Sequence, residues 1–319
     1  NTDDTEIARG LLKKAIELDD NLIIAKTGLA QTYLLGGDYY KALEICKIAL
    51  QQAKNIDDNY KTADNLINIG SCINEQHKGD IALEYFHKAL KISKRINHPS
   101  GIARCYENIG LCYVKNGNYE KGLAYRMRPL PYYDMCDNRR GVANTHCSLG
   151  LTYTLMGEYN KSLIHHNIAL KFFEKSDNDG GKVFIYNAIG FAFSDSGDYK
   201  NAKNYLEKAL SIQDSIGLFS LDVSAFLLWT VTCLYFVYKK LGIEYDDLKI
   251  RKLLKESGII DYELNYRIYT VLEDIAYIQT SFKQVQEKAS AMEEQLARKF
   301  LSYPIPKAIV EEYNKVFKK

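Results

Sequence analysis

Proline is scarce in this chain and tryptophan scarcer: 319 residues hold five prolines and one tryptophan, Trp229. An ordinary chain carries about 5% proline. Proline removes a backbone donor and clashes with the preceding helical turn, so its scarcity leaves room for uninterrupted helices and points to an all-α protein. An excess of one charge is also missing. Lys+Arg 42 against Asp+Glu 40 leaves a formal +2, without the basic stripe of a nucleic-acid binder. The seven cysteines are odd in number and none forms a C-x-x-C pair, which fits free thiols in a reducing cytoplasm better than a disulfide framework.

Signal and membrane segments are absent by the same reading. The chain opens on the polar run Asn1-Thr2-Asp3-Asp4 without an initiator Met, so no signal peptide is visible and a fragment of a larger protein is expected. Leu218 to Tyr238, followed by Lys239-Lys240, is long enough to span a bilayer, but Asp222 and several Ser/Thr interrupt it. It reads as a buried helix. No glycine-rich phosphate loop, H-E-x-x-H or zinc-like cysteine spacing occurs, so the expectation is a non-enzyme without cofactor or metal.

What the sequence does hold is a repeat. Gly70, Gly110, Gly150 and Gly190 recur at steps of forty, and Ala30 fills the slot one period earlier. Three residues on stand Tyr33, Ile73, Tyr113, Tyr153 and Phe193. Turns follow at Gly37-Asp38-Tyr39, Gly117-Asn118-Tyr119, Gly157-Glu158-Tyr159 and Gly197-Asp198-Tyr199. Small residues then recur at Ala42, Ala82, Gly122, Ser162 and Ala202, and again at Ala49, Ala89, Ala169 and Ala209. Each period predicts a helical hairpin: Gly or Ala lets two helices approach, an aromatic fills the gap, Gly ends the first helix and Asp or Asn caps the second.

This pattern resembles the tetratricopeptide repeat, with its Leu-Gly-x-x-Tyr and following small residues, in a long forty-residue form over about residues 6 to 213. The resemblance implies a right-handed α-solenoid of about five to six hairpins, with units near 23–59, 60–99, 100–140, 141–180 and 181–213. Long-period arrays of this kind occur in kinesin light chain, in Leu-Gly-Asn-type polarity adaptors and in Gram-positive peptide-pheromone sensors. Ala8, Ala15 and the run to Asn21 look like the second helix of a preceding repeat, so the array starts inside a hairpin.

The pattern breaks in two places. The second unit has His77 for the turn glycine and moves its glycine to Gly79. The third puts Pro129 where its neighbours carry Ala, with Pro131 nearby and Arg126 in a large core slot. A mid-helix proline costs about 3 kcal/mol and should bend or stop this helix near Met127. The next unit's equivalent slot holds His166, beside His165. Arg126 and His166 then form either a hinge or polar pocket, or belong to a kinked helix whose polar groups reach solvent, which is the plainer expectation. Adjacent His165 and His166 point in different directions and make a poor chelate. His146 shares an inward slot with Leu66, Tyr106 and Tyr186 and reads as a core histidine, while Cys72 and Cys112 read as packing residues.

In a stacked array the first helices line the concave face. Spacing assigns to it Asp64, Ile67, Asn68, Ser71 and Glu75, then Arg104, Glu107, Asn108, Leu111 and Lys115. Asn144, Cys147, Ser148, Leu151 and Leu155 follow, and lastly Phe184, Asn187, Phe191 and Asp195. Asn68 and Asn108 match the slot that, in the long-period families, bonds the backbone of a bound peptide. An amide both donates and accepts, and Arg104 suits a carboxylate. The slot becomes Ser148 and Ala188 later, and no Lys/Arg cluster for a C-terminal carboxylate is present. The candidate peptide-binding set is Asp64, Asn68, Arg104, Asn108, Leu111, Asn144, Leu151, Asn187 and Phe191. The apolar run Leu111, Leu151, Leu155, Phe184 and Phe191 meets either another protein or the chain's own C-terminal helices.

After Ser215 the register fails, and residues 214–319 form a second region. Leu221–Leu241 and Glu244–Glu256 read as a degenerate hairpin turning at Gly242. A long helix is expected from Tyr262 to Phe300, with a stripe at Ile268, Leu272, Ile275, Ile278, Phe282 and Val285, then a short one from Lys307 to Val316. These helices either cap the array or pair two chains in a homodimer. Residues from Ala276 to Glu312 look like the tail that closes the repeats of multidomain bacterial signalling proteins, which carry a cyclase or kinase with an NTPase module. The expectation is therefore a non-catalytic, cytoplasmic protein- or peptide-binding scaffold or sensor of a larger signalling protein, with no nucleic-acid or membrane partner. The alternative is a stand-alone peptide-responsive regulator of the pheromone-sensor type.

Overall fold

A computed structural model describes residues 2–76, 78–216, 221–258 and 260–318. The described residues form helices and no strands, as the missing prolines predict. The chain divides into two compact units. The first comprises Asn1–Asn116 with Glu120–Thr145, and the second Gly117–Tyr119 with His146–Lys319. The boundary read from sequence at 213/214 falls inside the second unit.

In the first unit, α1 (Thr2–Leu18) precedes the hairpins α2 (Ile23–Leu35) with α3 (Tyr39–Asn55) and α4 (Asn59–Glu75) with α5 (Gly79–Arg95). Next come α6 (Pro99–Lys115), α7 (Tyr119–Arg126) and α8 (Leu130–Met135). The helix α9 (Arg139–Leu155) leads into α10 (Tyr159–Phe173), and α11 (Asp179–Ser196) pairs with α12 (Tyr199–Ile216) in the second unit. There, α13 (Leu221–Leu241), α14 (Leu248–Glu256), α15 (Tyr262–Leu272), α16 (Ile275–Ser290), α17 (Glu294–Ser302) and α18 (Pro304–Phe317) complete the chain.

The repeat glycines are where the hairpins close. A Cβ on Gly70 would stand 2.6 Å from the Phe86 ring, and one on Gly150 2.5 Å from His166. Gly110 faces Arg126 and Gly190 faces Leu206 in the same manner. One slot of the second helix thus always fills the space that the first helix leaves empty. Its occupant is aromatic in Phe86, aliphatic in Leu206 and polar in Arg126 and His166. The turn glycines Gly37, Gly117, Gly157 and Gly197 are all left-handed, with φ between +76° and +86°, a conformation that costs a Cβ-bearing residue about 1–2 kcal/mol. Asp38 then caps α3 by accepting from the Lys41 N–H at 3.1 Å.

The turns between hairpins use a different device, which the repeat search did not pick out. Asp57, Asn97 and Asp137 are left-handed non-glycine residues. Asx side chains tolerate that region. The residue after each starts the next helix, with Asp58 accepting from Lys61 N at 3.0 Å and Asn138 from Gly141 N at 2.8 Å.

Pro129 acts as expected. The helix stops at Arg126 and resumes at Leu130, leaving a short interruption that Pro129 itself, with no N–H to offer, cannot bridge. Three expectations about the C-terminal region need correction. The helix predicted over Tyr262–Phe300 is three helices, because Glu273 turns left-handed (φ 58°) and Asp274 caps α16 through Ala276 N at 3.0 Å. A second break separates α16 from α17. Of the predicted stripe, Ile268, Ile278 and Val285 are fully buried within this unit, Leu272 and Phe282 are half-buried, and Ile275 is exposed. The last helix starts at Pro304 rather than Lys307, since proline suits the first helical position, and α14 starts at Leu248 rather than Glu244.

The stretch suspected of crossing a membrane is α13, with Leu228, Val231, Cys233, Leu234 and Val237 packed inside. Its first residues from Leu218 to Ser220, and His77 in the second repeat, lie outside the described residues. Among the described residues no helix is long and apolar enough to cross a membrane.

Candidate peptide-binding face

In the first unit the forty-residue period places polar side chains of α4 opposite those of α6. Asp64 Oδ1 meets Arg104 Nη1 at 2.6 Å, and Arg104 Nη2 donates to Asn68 Oδ1 at 3.2 Å. Asn108 Nδ2 donates to the Arg104 carbonyl at 2.8 Å, and Ser71 Oγ donates to Asn108 Oδ1 at 3.3 Å. Lys115 pairs with Glu75 at 2.7 Å. The ladder runs along the face that spacing assigned to the groove, and it joins Asp64, Asn68, Arg104 and Asn108 into one network.

Asn68 stands apart within it. The residue is buried, its Oδ1 is occupied by Arg104, and its Nδ2 has no hydrogen-bond partner. A buried donor left unpaired costs about 1–3 kcal/mol. Leu111 on α6 is half-buried and Asn144 on α9 is exposed.

Behind this ladder sits a buried polar group that spacing did not assemble. Glu107 accepts from the Tyr133 hydroxyl at 2.6 Å and from Thr145 Oγ1 at 3.2 Å. Burial raises its carboxyl pKa, against the pull of those hydrogen bonds and of Arg104 and Arg126. Arg126 is itself buried. Desolvation brings its guanidinium down to about 10, with Glu107 acting in the opposite direction. The expectation that Arg126 and His166 reach solvent is therefore overturned. His166 is fully buried against Gly150, neither ring nitrogen has a partner, and burial lowers its pKa to about 3. Both polar residues are core fillers that their glycines make room for.

In the second unit the remaining candidates are divided. Asn187 is fully buried and donates to Thr230 Oγ1 at 2.9 Å. Phe191 packs its ring 5.7 Å from Trp229, and Phe184 stacks 6.1 Å from Phe226. The following helix α13 thus buries Asn187 and half-covers Phe191, whereas Phe184 stays exposed and Leu151 and Leu155 stay half-buried on α9. His146 is half-buried rather than a core residue. Its Nδ1 lies 2.9 Å from Nδ1 of His165, which stacks on Tyr153 at 5.4 Å. No group of three or more metal-ligating side chains occurs among the described residues.

The same unit holds a buried charge cluster. Arg267 on α15 donates from Nη2 to both Asp195 oxygens, at 2.9 and 3.0 Å, and to Glu263 Oε1 at 3.0 Å. Its side chain is 6% exposed and that of Asp195 9%. Burial raises the Glu263 carboxyl to about 7, opposed by Arg267. Spacing named Asp195 as an inner-face residue but offered no partner for it, because the arginine is 72 positions away.

Antiparallel helical hairpins closed by a glycine–large-residue contact, repeated with polar inner faces, define a class of protein-binding repeat scaffolds. The tetratricopeptide-repeat family model matches residues 62–125 and 141–215. Those residues of the chain are tetratricopeptide repeats. No curated protein matches it in sequence. The fold is similar to that of the APC/C hetero-tetramer Cut9–Hcn1 (TM-score 0.60, 13% identity, covering 92% of this chain and 51% of that one). It is also similar to aspartyl phosphate phosphatase F from Bacillus subtilis (0.56, 13%, 75% and 60%) and to the apo form of RapI (0.55, 18%, 81% and 84%). The chain spans about half the length of the Cut9–Hcn1 chain it matches. At these identities the likeness concerns the fold alone.

Proposed function

We propose that the chain is a non-catalytic peptide-binding scaffold, and that the inner face of α4 and α6 holds the main chain of an extended peptide. The unpartnered, buried Nδ2 of Asn68 is the observation that carries this reading. A peptide carbonyl placed there supplies the missing acceptor, and the exchange of a lost for a gained hydrogen bond favours binding. Asn108 offers a second amide one repeat along the same network. Arg104, tied to Asp64 and Asn68, fixes the orientation of the first amide. Leu111 adds apolar contact beside it.

The setting we favour is a sensor or scaffold region within a larger cytoplasmic signalling protein, as the tail from Ala276 to Glu312 implies by resemblance. A stand-alone peptide-responsive regulator is the second reading, supported by the likeness in fold to RapI and to aspartyl phosphate phosphatase F.

Selection of a random-peptide display library on the chain, followed by calorimetric titration of the enriched peptides, tests the proposal. Replacing Asn68 and Asn108 with Ala is expected to weaken those peptides at least ten-fold, about 1.4 kcal/mol, with helical content preserved. Unchanged affinity in the double variant would place the ligand elsewhere and reject the reading.

A further inference from the structure

On the inner face of the second unit, the Asp195 position is occupied. Glu75, Lys115, Leu155 and Asp195 share one repeat slot at steps of forty. Glu75 and Lys115 each keep about a third of their side chain in solvent, 32% and 35%. At Asp195 the slot is instead filled from outside the hairpin, by the guanidinium of Arg267 on α15.

The contact has the chemistry of a ligand in a seat. A single Arg267 nitrogen serves three carboxylate oxygens, while its Nε is buried without a partner. Two carboxylates share one cation, and the Arg267 guanidinium also lies 5.6 Å from the Trp229 ring. Buried polar contacts of this kind specify a partner more than they stabilise a core, since a well-packed apolar contact of the same volume does at least as well energetically. The helix that delivers the arginine is bounded by joints. Ser257 and Asp261 before it are extended, and Glu273 after it is left-handed. Around it, Tyr262 places its hydroxyl 3.5 Å from that of Tyr119, and Tyr119 packs 4.5 Å from Tyr303, again through groups with polar ends.

We propose that Arg267 is a ligand in cis: Asp195 anchors a second binding position for an arginine-bearing peptide segment, and α15 holds that position until such a partner displaces it. This rests on the reading that the inner faces of these repeats bind peptides. It names the side chain that the second unit selects for. A guanidinium suits the seat because its flat, weakly hydrated plane can lie over the Trp229 ring while one of its nitrogens serves the carboxylates, which an ammonium cannot do.

The test uses the full chain and a fluorescent synthetic peptide of residues 261–274. Arg267→Gln is expected to speed hydrogen exchange in α15 at least ten-fold while leaving α11 and α12 unchanged. The same variant should bind the peptide at least ten-fold tighter than the unmodified chain, whose seat is taken. Adding Asp195→Asn should abolish that gain, and a peptide carrying Gln in place of its arginine should not bind. Asn68→Ala should leave this binding untouched, so that failure of the first-unit site is distinguishable from failure here. Loosening of α11 and α12 together with α15, or peptide binding indifferent to Asp195, would overturn the proposal. Should Arg267→Gln fail to fold, Arg267→Lys keeps the charge and loses the guanidinium plane over Trp229. It should open α15 alone and admit the peptide at least three-fold better, and an unopened α15 or loosened α11 in that variant rejects the idea.

Discussion

The Glu75–Lys115 and Asp195–Arg267 pairs start from the same repeat slot and end in opposite physical states. The first spans two neighbouring hairpins with both side chains about a third exposed, 32% and 35%. The second is sealed, with 9% and 6% exposed. Exposed pairs contribute about 0–1 kcal/mol because solvent screens them and side-chain entropy opposes them. Breaking a sealed pair costs about 3–5 kcal/mol, because a charge is left buried and uncompensated. The repeat therefore fixes where a side chain points, and the next element to pack on it decides whether that side chain is a structural or an available group.

The sharpest break of this contrast concerns charge burial itself. Arg267→Met should weaken the docking of α15 on Asp195 by about 3–5 kcal/mol, read as local hydrogen-exchange protection of α15, whereas Lys115→Met should cost less than about 1 kcal/mol in urea unfolding. Equal effects would show that the two seams are energetically alike. Of similar size is the pH response of His166. Its folded pKa, about 3, is depressed below the ordinary 6.5. The charged form is disfavoured in the native state, so stability is lost as pH falls from 6.5 towards 3, by up to about 5 kcal/mol at 1.36 kcal/mol per unit. His166→Leu should remove that slope in acid unfolding curves and raise stability at neutral pH, and a retained slope would assign it to other groups.

Glu263 shows the opposite sign. Its folded pKa, about 7, is raised above the usual 4.5. The cost of its charge is thus complete above pH 7 and relieved as pH falls towards 4.5, amounting to about 3–4 kcal/mol. Glu263→Gln should stabilise the chain at pH 8 and do nothing at pH 4.5. A smaller loss is expected for Gly150→Ala, whose Cβ would stand 2.5 Å from His166 and cost about 1–3 kcal/mol by overpacking. Pairing it with His166→Ala, which clears the ring, should recover part of that loss.

Much of this was legible in the sequence because it is periodic. The glycines at 70, 110, 150 and 190, the left-handed turns and the Asp64–Arg104 and Glu75–Lys115 pairs all follow from one step of forty. The Asx residues Asp57, Asn97 and Asp137 were equally periodic, but a capping residue and a left-handed turn residue look alike in a sequence. Arg126 and His166 were located correctly in the core slot and misjudged as solvent-reaching, since residue type argued against burial while the facing glycine argued for it. The Asp195–Arg267 contact had no local signal at all. It joins a repeat residue to a helix beyond the last repeat, and neither spacing nor composition links the two. The break at Glu273 was hidden because its apolar stripe continues in near-helical register across the joint.

The central claim, that the inner face of α4 and α6 takes a peptide main chain through the Asn68 amide, is tested most directly by NMR of that side chain. The Nδ2 protons of Asn68, assigned by their loss in Asn68→Ala, should shift downfield and exchange more slowly with solvent when a library-selected peptide is added. Resonances that stay in place at saturating peptide would contradict the account.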